Sequence, residues 1–270
     1  MSGLVFISGA TGGLGKAFAV ECASRGWDLF LTDLLHEKLE TLAASLHHTY
    51  GVDVIQRPCD LTDQEARAEL FEFIRTKGMA FHMLVNVAGV DYEGLFNERS
   101  RDEIRTIIRL NIESTLDVTH TLLQYAGVDR PFRIINVSSL AAFYPMPVKA
   151  TYAASKRFLL DFSLALRDEL RGKGATVTVL CPAGLPTTPD CIDAIEAQGF
   201  IGQLTTKDIG SVATKTIDHA LRGHAIYIPG VINQLLQLAG GLVPPISLAG
   251  LIGNRWRAAH EKRLATAEKS

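Results

Sequence analysis

The sequence predicts a single α/β domain, a doubly wound parallel sheet of about seven strands with helices on both faces. Two observations support this class. Apolar runs alternate with helical patterns along most of the chain, which is typical of βαβ units, and no repeat or low-complexity linker interrupts the alternation. The predicted strands lie near residues 4–7, 28–32, 52–56, 81–86, 132–137, 175–180 and 225–228.

Several helix boundaries carry local signals. Thr62-Asp-Gln-Glu65 and Ser100-Arg-Asp-Glu103 have the form of a capping box, so helices are predicted to begin after Thr62 and Ser100. Gly26 follows the first helix, where a glycine commonly ends a helix. A helix is also predicted over 34–46.

Composition restricts the class of protein. The 270 residues are 47% hydrophobic, enough for one large core, although length alone allows one or two domains. A net charge of −2 gives no overall attraction to nucleic acid or to an anionic membrane. The eight histidines form no H-x-x-x-H or mixed Cys/His set, so no metal site is predicted.

The four cysteines form no C-x-x-C pair, and three of them lie in apolar surroundings. Reduced, mostly buried thiols in the cytoplasm are therefore expected. The first apolar strand begins almost at Met1, so no signal peptide is expected ahead of it.

A glycine-rich loop joins the first strand to the first helix. Gly9, Gly13 and Gly15 give the spacing G-x-x-x-G-x-G, which differs from the common dinucleotide pattern G-x-G-x-x-G. A loop in this place sets phosphate groups against the free N–H groups of a helix start. The alternative is a tight turn with no ligand.

Asp33 follows the second strand, roughly twenty residues beyond the glycines. A carboxylate there accepts hydrogen bonds from adenosine ribose hydroxyls and repels a 2′-phosphate, and no Arg or Lys follows at once. NAD is therefore predicted rather than NADP. The alternative is that Asp33 caps the helix over 34–46.

Tyr152 and Lys156 are four residues apart, with Ser139 thirteen residues ahead of the tyrosine. On a helix, positions i and i+4 share a face, so the ammonium approaches the phenol. A free tyrosine has a pKa of about 10, and a nearby cation favours its phenolate. The pattern predicts proton transfer at a substrate oxygen held by Ser139, and the alternative is an exposed helical pair.

The candidate motifs all follow a strand directly, and ligands of parallel sheets bind beyond the carboxyl ends of the strands. We therefore expect these segments to converge on one edge of the sheet: 9–15, Asp33, Asp60, 86–89, Ser139 and 182–187.

From about residue 3 to 230 the chain resembles the short-chain dehydrogenase/reductase family, particularly its NAD-dependent members, with hydroxysteroid dehydrogenases among them. The resemblance is carried by the glycine loop, Asp60-Leu61, Asn86-Val-Ala-Gly89, Asn136-Val-Ser-Ser139 and Tyr152-Ala-Ala-Ser-Lys156. Asn111, twenty-eight residues before Ser139, matches the family's helix asparagine, which organises a water near the catalytic lysine. The alternative for Asn111 is a polar residue facing solvent.

The resemblance implies a single-domain Rossmann fold and an oxidoreductase that interconverts a secondary alcohol and a ketone by hydride transfer with NAD(H). The implied catalytic residues are Asn111, Ser139, Tyr152 and Lys156, with Ser138 structural. The implied cofactor contacts are Gly9, Thr11, Gly12, Gly13, Leu14, Gly15, Asp33, Asp60, Leu61, Asn86, Ala88, Gly89, Tyr152, Lys156, Pro182, Leu185 and Thr187.

Two positions depart from the family's pattern. Val87 replaces a second asparagine, and Ala183 takes the position of a glycine after the sixth strand. Because alanine tolerates positive φ poorly, strain is expected at Ala183.

The substrate is expected to be an apolar alcohol or ketone, with a hydroxysteroid as the leading example. In the family, the segment corresponding to about 184–206 forms a substrate lid, which here carries Ile192, Ile195, Phe200, Ile201 and Leu204. Together with Phe143, Tyr144, Met146 and Pro147 it would form an apolar wall, with Lys149 as the nearest cation.

Residues 225–254 contain no charged side chain and are long enough to suggest a membrane span. A last strand at 225–229, Gly240-Gly241 and Pro244-Pro245 interrupt the stretch, which leaves short helices predicted over 231–238 and 246–252. We expect the dehydrogenase domain over 1–230 and, within the same domain, an apolar extension with a basic tail over 231–270. A lid or subunit interface is the first interpretation of this extension, and peripheral membrane contact is the second.

Family members commonly pair through the helices that hold Asn111 and Tyr152, so a homodimer or homotetramer is expected. Two other functions stay open: an NADPH-dependent reductase of a lipid or acyl ketone at a membrane surface, and a non-catalytic NAD sensor.

Overall fold

The computed structural model describes residues 3–127, 131–187, 205–254 and 256. Within them the chain forms one seven-stranded sheet in the order β3-β2-β1-β4-β5-β6-β7, with every neighbouring pair parallel. The strands are β1 Leu4–Ser8, β2 Leu29–Asp33, β3 Val54–Pro58, β4 Phe81–Asn86, β5 Phe132–Val137, β6 Ala175–Leu180 and β7 Ile226–Tyr227. The predicted doubly wound α/β class is confirmed.

The helices that connect the strands are α1 Gly13–Ser24, α2 His36–Tyr50, α3 Gln64–Thr76, α4 Arg101–Ile107, α5 Ser114–Leu123, α6 Ala150–Glu169, α7 Ile209–Leu221 and α8 Val231–Gly241. A π-helical segment, Ile108–Glu113, joins α4 to α5. Short 3₁₀ helices lie at Phe96–Glu98 and Leu140–Phe143. Residues 245–254 form a further helix.

The sheet is buried on both faces because successive side chains of a strand point in opposite directions. In β1, Val5 and Ile7 pack in the core beneath α1, α2 and α7, whereas Phe6 packs in the core beneath α3 and α5. Winding reverses between β1 and β4, which makes the carboxyl ends of these two strands the point where a ligand crevice opens.

The predicted helix boundaries have different outcomes. Ser100 and Glu103 form the predicted capping box, and Gly26 follows α1 with a φ of +75°. The prediction for Thr62 is wrong, because Asp63 caps α3 by accepting from the N–H of Ala66. Thr62 instead donates its backbone N–H and its hydroxyl to Asp60.

The C-terminal extension departs from prediction in one respect. α8 continues through Gly240 and Gly241 and ends before Pro244, so the predicted break at the glycines is wrong. At Gly240 a Cβ atom would lie 2.2 Å from Cε1 of Tyr144, so this glycine permits the ring to pack against the helix. Among the described residues no helix combines the length and the apolar character needed to cross a bilayer.

Candidate active site

The loops that follow β1, β4, β5 and β6 meet at the carboxyl edge of the sheet. The hydroxyl of Ser8 accepts hydrogen bonds from the N–H groups of Val87 and Ala88, at 3.1 and 3.3 Å. The N–H of Leu140 donates to the carbonyl of Pro182 at 2.7 Å. These contacts bring most of the predicted segments together at one edge.

Two glycines of the loop after β1 are required by its geometry. Gly9 has a φ of +65°, and a Cβ there would lie 2.9 Å from Cα of Ala88. A Cβ on Gly15 would lie only 1.9 Å from the carbonyl oxygen of Gly9. Since both clashes are with backbone atoms, the loop keeps its shape only with glycine at these positions.

The start of α1 is open to an anion. Gly12 occupies the N-cap position, and neither a side-chain cap nor an acidic residue lies in the first turn of this described helix. The first N–H groups of a helix lack intrahelical partners and carry a partial positive charge, which suits a phosphate. A Cβ on Gly13 would lie 2.9 Å from Cα of Thr187, so the loop after β6 runs beside this helix start. These residues fit the pyrophosphate of a dinucleotide.

Asp33 links β2 to the glycine loop. One carboxylate oxygen accepts from the N–H of Thr11 at 2.8 Å, and the other accepts from Leu34 at 2.7 Å. The N-cap of α2 is Leu35, so Asp33 is not the helix cap that the alternative interpretation requires. The carboxylate is half-buried at the end of β2, beside the glycine loop. Its contact with ribose stays a prediction.

Arg67, which the sequence did not single out, supports the segment carrying Asp60 and Leu61. Its side chain is buried, with 1% exposed, and donates to the Leu61 carbonyl at 2.7 Å. It also pairs with Glu113 and Asp117 at 2.5 and 2.8 Å. The predicted adenine-side loop is thereby tied to the π-helical segment and α5. An arginine inside a helix gives no sequence signal for this role.

Asn86 lies in a buried polar network between β4 and β5. Its amide donates to Thr119 at 3.0 Å and to Asn136 at 2.8 Å, and Asn136 donates to Ser163 at 2.9 Å. The side chain of Asn86 therefore holds the two central strands together. The backbone of Ala88 and Gly89 continues to the crevice, and cofactor contacts at all three residues stay predictions.

Tyr152 and Lys156 share one face of α6. The ammonium nitrogen of Lys156 lies 5.7 Å from the centroid of the Tyr152 ring and donates to the carbonyl of Val137 at 3.0 Å. Burial lowers the pKa of Lys156 to about 8, while the negative charge of Asp91 opposes this effect. The amine is therefore still mostly protonated at neutral pH. A buried cation beside a phenol ring favours the phenolate.

The two serines after β5 occupy different positions. Ser138 is buried and donates to the backbone carbonyl of Lys156 at 2.6 Å, so it joins β5 to α6. Ser139 is half-buried, accepts from the N–H of Ala141 at 3.1 Å and donates to Pro182 at 3.5 Å. Ser139 thus lies at the carboxyl edge, where the predicted substrate oxygen would be held.

Asn111 lies inside the π-helical segment and is completely buried, so the solvent-facing alternative is wrong. Its side-chain oxygen accepts from the N–H of Val90 at 2.9 Å, and its side-chain nitrogen donates to the Val90 carbonyl and to the Ser155 hydroxyl, both at 3.0 Å. A Cβ on Gly89 would lie 3.0 Å from the Asn111 side-chain oxygen and 3.2 Å from the Lys156 nitrogen. Gly89, Asn111 and Lys156 therefore converge, and π-helical turns are frequent at functional sites.

The strain expected at Ala183 is absent. Among the described non-glycine residues, Val148 alone has a positive φ, at 69°. Val148 is buried immediately before α6, and a β-branched residue in this conformation is strained. The loop after β6 therefore accepts Ala183, whereas the segment leading to Tyr152 carries the strain.

The substrate side is described in part. Phe143 and Tyr144 are half-buried, and burial raises the pKa of Tyr144 to about 12. The five apolar residues expected in the lid, from Ile192 to Leu204, lie outside the described residues. Lys149, the cation nearest this region, forms ion pairs with Asp91 and, at 3.1 Å, with Glu93.

The described residues form no candidate metal site, and their cysteine thiols are buried. No group of three or more His, Cys, Asp or Glu comes together within the described part of the chain. Cys22, Cys59 and Cys181 are free and buried, as expected, and burial raises the pKa of each thiol. Cys191 lies outside the described residues.

Known proteins resemble this chain in sequence and in fold. The family model for short chain dehydrogenase matches residues 3–191. Human 17-beta-hydroxysteroid dehydrogenase type 3 is 34% identical over 67% of this chain and 58% of its own length. Serine 3-dehydrogenase of Rhizobium radiobacter is 36% identical over 67% of this chain and 72% of its own length.

A solved short-chain dehydrogenase from Sphingobium yanoikuyae, in complex with NADPH, superposes with a TM-score of 0.74 at 26% identity, covering 88% of this chain and 93% of that one. The matched part of this chain spans less than two thirds of the human relative. With the glycine loop, the parallel sheet and the Tyr152–Lys156 pair in their places, the chain belongs to the short-chain dehydrogenase/reductase family of oxidoreductases, whose fold binds a nicotinamide dinucleotide.

Proposed function

We propose that this protein interconverts a secondary alcohol and a ketone with NAD(H), acting on a bulky apolar substrate such as a hydroxysteroid. One observation carries the proposal: the buried ammonium of Lys156 lies 5.7 Å from the ring of Tyr152 on the same helix. The half-buried Ser139 lies at the same sheet edge. This arrangement provides a phenolate base and a hydrogen-bonding group for a substrate oxygen.

Each residue then has a defined part in the proton transfer. In the oxidative direction Tyr152, as phenolate, removes the hydroxyl proton while Ser139 holds the oxygen. Lys156 stabilises the phenolate by its charge and holds the nicotinamide ribose. Asn111 supports a path for the proton towards solvent. The nicotinamide, when bound, supplies the hydride acceptor or donor.

NAD is proposed over NADP because of Asp33. Its carboxylate is held at the end of β2 by the N–H groups of Thr11 and Leu34. A 2′-phosphate brought there would face a fixed negative charge in a partly buried site. The kcat/KM ratio for the two cofactors tests this assignment, and a clear NADP preference would contradict it.

A homodimer or homotetramer in the cytoplasm completes the proposal. Ile108, the first residue of the π-helical segment, and Phe158, on α6, are apolar and exposed, at 42% and 40%. Exposed apolar residues on these two helices support pairing through them. Sedimentation velocity measures the oligomeric state, and we expect Phe158→Arg to shift it towards the monomer.

The proposed activity is tested by following NADH absorbance across a panel of steroid, sugar and aliphatic alcohols. Tyr152→Phe should lower kcat by about two to four orders of magnitude and leave the Kd for NAD nearly unchanged. The matched control is Tyr50→Phe, since Tyr50 lies at the exposed end of α2. Full turnover by Tyr152→Phe would refute the proposed role, and NAD binding without turnover by the unaltered protein would favour a sensor.

A further inference from the structure

The helix α8 buries one polar residue and exposes most of its apolar residues. Val231, Leu235 and Leu238 are exposed at 70%, 59% and 62%. The fully buried residue is Asn233, whose amide donates to the carbonyls of Thr205 and Pro229 at 3.0 and 2.6 Å. A helix on the surface of a globular protein normally shows the reverse arrangement. The outward face of α8 is therefore built to meet something apolar.

The exposed apolar side chains recur along both C-terminal helices. Along α8 they recur at the spacing of a single helical face, and further exposed apolar side chains follow in the helix over 245–254. No charged residue occurs between 225 and 254. We call this set of side chains the apolar stripe, and its members are Val231, Leu235, Leu238, Leu242, Ile246 and Leu251.

The sequence beyond the stripe is basic. Residues 255–270 contain five Lys or Arg side chains and two Glu, although the whole chain has a net charge of −2. An uncharged apolar face followed by cations is complementary to a bilayer with anionic headgroups. A second copy of this stripe contains no acidic residue that would pair with those cations. The charge pattern therefore favours a membrane surface over self-association.

We propose that the apolar stripe docks this protein on the surface of an anionic lipid bilayer, with α8 and the helix over 245–254 lying in the plane of the interface. The helix α8 is 11 residues long, whereas a spanning helix needs about 20. Docking in the plane leaves the backbone hydrogen bonds of both helices intact. The Lys and Arg side chains of residues 255–270 supply the positive charge for this contact.

This placement has a consequence that rests on the proposed function. α8 packs against the 3₁₀ helix Leu140–Phe143, which follows Ser139, and Gly240 contacts the ring of Tyr144. The docked stripe therefore lies beside the substrate side of the active site. An apolar substrate dissolved in the bilayer would enter from that side.

Vesicle co-sedimentation of the full chain tests the docking without any activity measurement. We expect binding to phosphatidylcholine vesicles that contain phosphatidylglycerol, and weaker binding to phosphatidylcholine alone. Leu238→Gln should lower the partition coefficient about tenfold, and Leu235→Gln/Leu238→Gln about 100-fold. Arg255→Gln/Arg257→Gln should remove most of the preference for the anionic vesicles.

The matched control is Leu34→Gln. Leu34 is as exposed as Leu238, at 63% against 62%, but it lies just after β2 and outside the apolar stripe. Vesicle binding by this control should equal that of the unaltered protein. Circular dichroism checks that each variant is folded. Failure to bind either vesicle, or equal binding by the Leu235→Gln/Leu238→Gln variant, overturns the proposal. A dimer that the double variant dissociates, without vesicle binding, would identify a second copy as the occupant instead.

Discussion

Lys156 allows the cost of a buried charge in this protein to be measured directly. Burial lowers its pKa to about 8 from an ordinary value of 10.5, and the side chain is 4% exposed. At 1.36 kcal/mol for each pH unit, the difference corresponds to about 3 kcal/mol of unfolding free energy. Below pH 8 the folded protein bears this cost in full.

The sign of the pH dependence follows from the protons bound in each state. Between about pH 8 and about pH 10.5 the unfolded chain keeps the proton on this amine and the folded chain does not, so stability from this group rises with pH. Buried acids act in the opposite direction. Burial raises the pKa of Cys59 to about 11 and of Tyr144 to about 12, so their contribution falls as pH rises past their unfolded values.

The difference between the unaltered protein and Lys156→Met isolates the lysine. At about pH 7 the variant gains about 3 kcal/mol from the removed charge and loses about 1 kcal/mol with the hydrogen bond to Val137. We therefore expect Lys156→Met to be more stable by about 2 kcal/mol at neutral pH and less stable by about 1 kcal/mol near pH 10.5.

The assay is urea unfolding without cofactor, followed by circular dichroism, over this pH range. Lys173→Met, which removes an exposed lysine, controls for the loss of one charge. If the unfolding free energies of Lys156→Met and the unaltered protein run parallel with pH, the reasoning about burial is refuted.

Three further predictions concern stability and reactivity. Arg67→Ala should lower the unfolding free energy by about 2–3 kcal/mol, because it removes buried hydrogen bonds to Leu61 and to two carboxylates, which regain water. The control Arg157→Ala breaks an exposed ion pair and should lower the unfolding free energy by about 0.5 kcal/mol or less. Gly15→Ala should lower the unfolding free energy by about 3 kcal/mol or more and abolish NAD binding measured by calorimetry. The control Gly241→Ala has open space at its Cβ and should change neither quantity. An unaltered melting temperature for Gly15→Ala would contradict the loop geometry. In a Cys191→Ser variant the remaining thiols are Cys22, Cys59 and Cys181, and burial keeps them protonated. A thiol reagent should therefore react with the folded variant far more slowly than with the urea-unfolded variant. Rapid labelling of the folded variant would contradict this prediction.

Local pattern was sufficient for the sheet and for the positions of the motifs. The predicted strands at 81–86, 132–137 and 175–180 are β4, β5 and β6, and the other four differ from the structure by at most two residues at each end. Continuous apolar runs separated by helices leave few alternatives to a parallel sheet, because such strands are buried on both faces. Once the sheet is parallel, the loops after its strands must share one edge.

Other features depend on contacts between distant parts of the chain. Thr62 and Asp63 are both good capping residues, and the bond of Thr62 to Asp60 leaves Asp63 as the cap. The burial of Asn111 depends on a π-helical turn and on Val90 and Ser155, which are remote from it in sequence. Composition and periodicity carry no record of such partners.

The order of residues by itself determined the fold class, the glycine loop and the placing of Tyr152 and Lys156 on one face of a helix, because helix and strand periods are local properties. Tertiary structure alone decided that Arg67 is buried, that Ala183 is unstrained and that α8 presents its leucines outward. The physical reason is that burial and hydrogen-bond pairing are set by which distant segments pack together. A leucine-rich helix has the same sequence pattern whether its apolar face meets a core or the outside of the molecule.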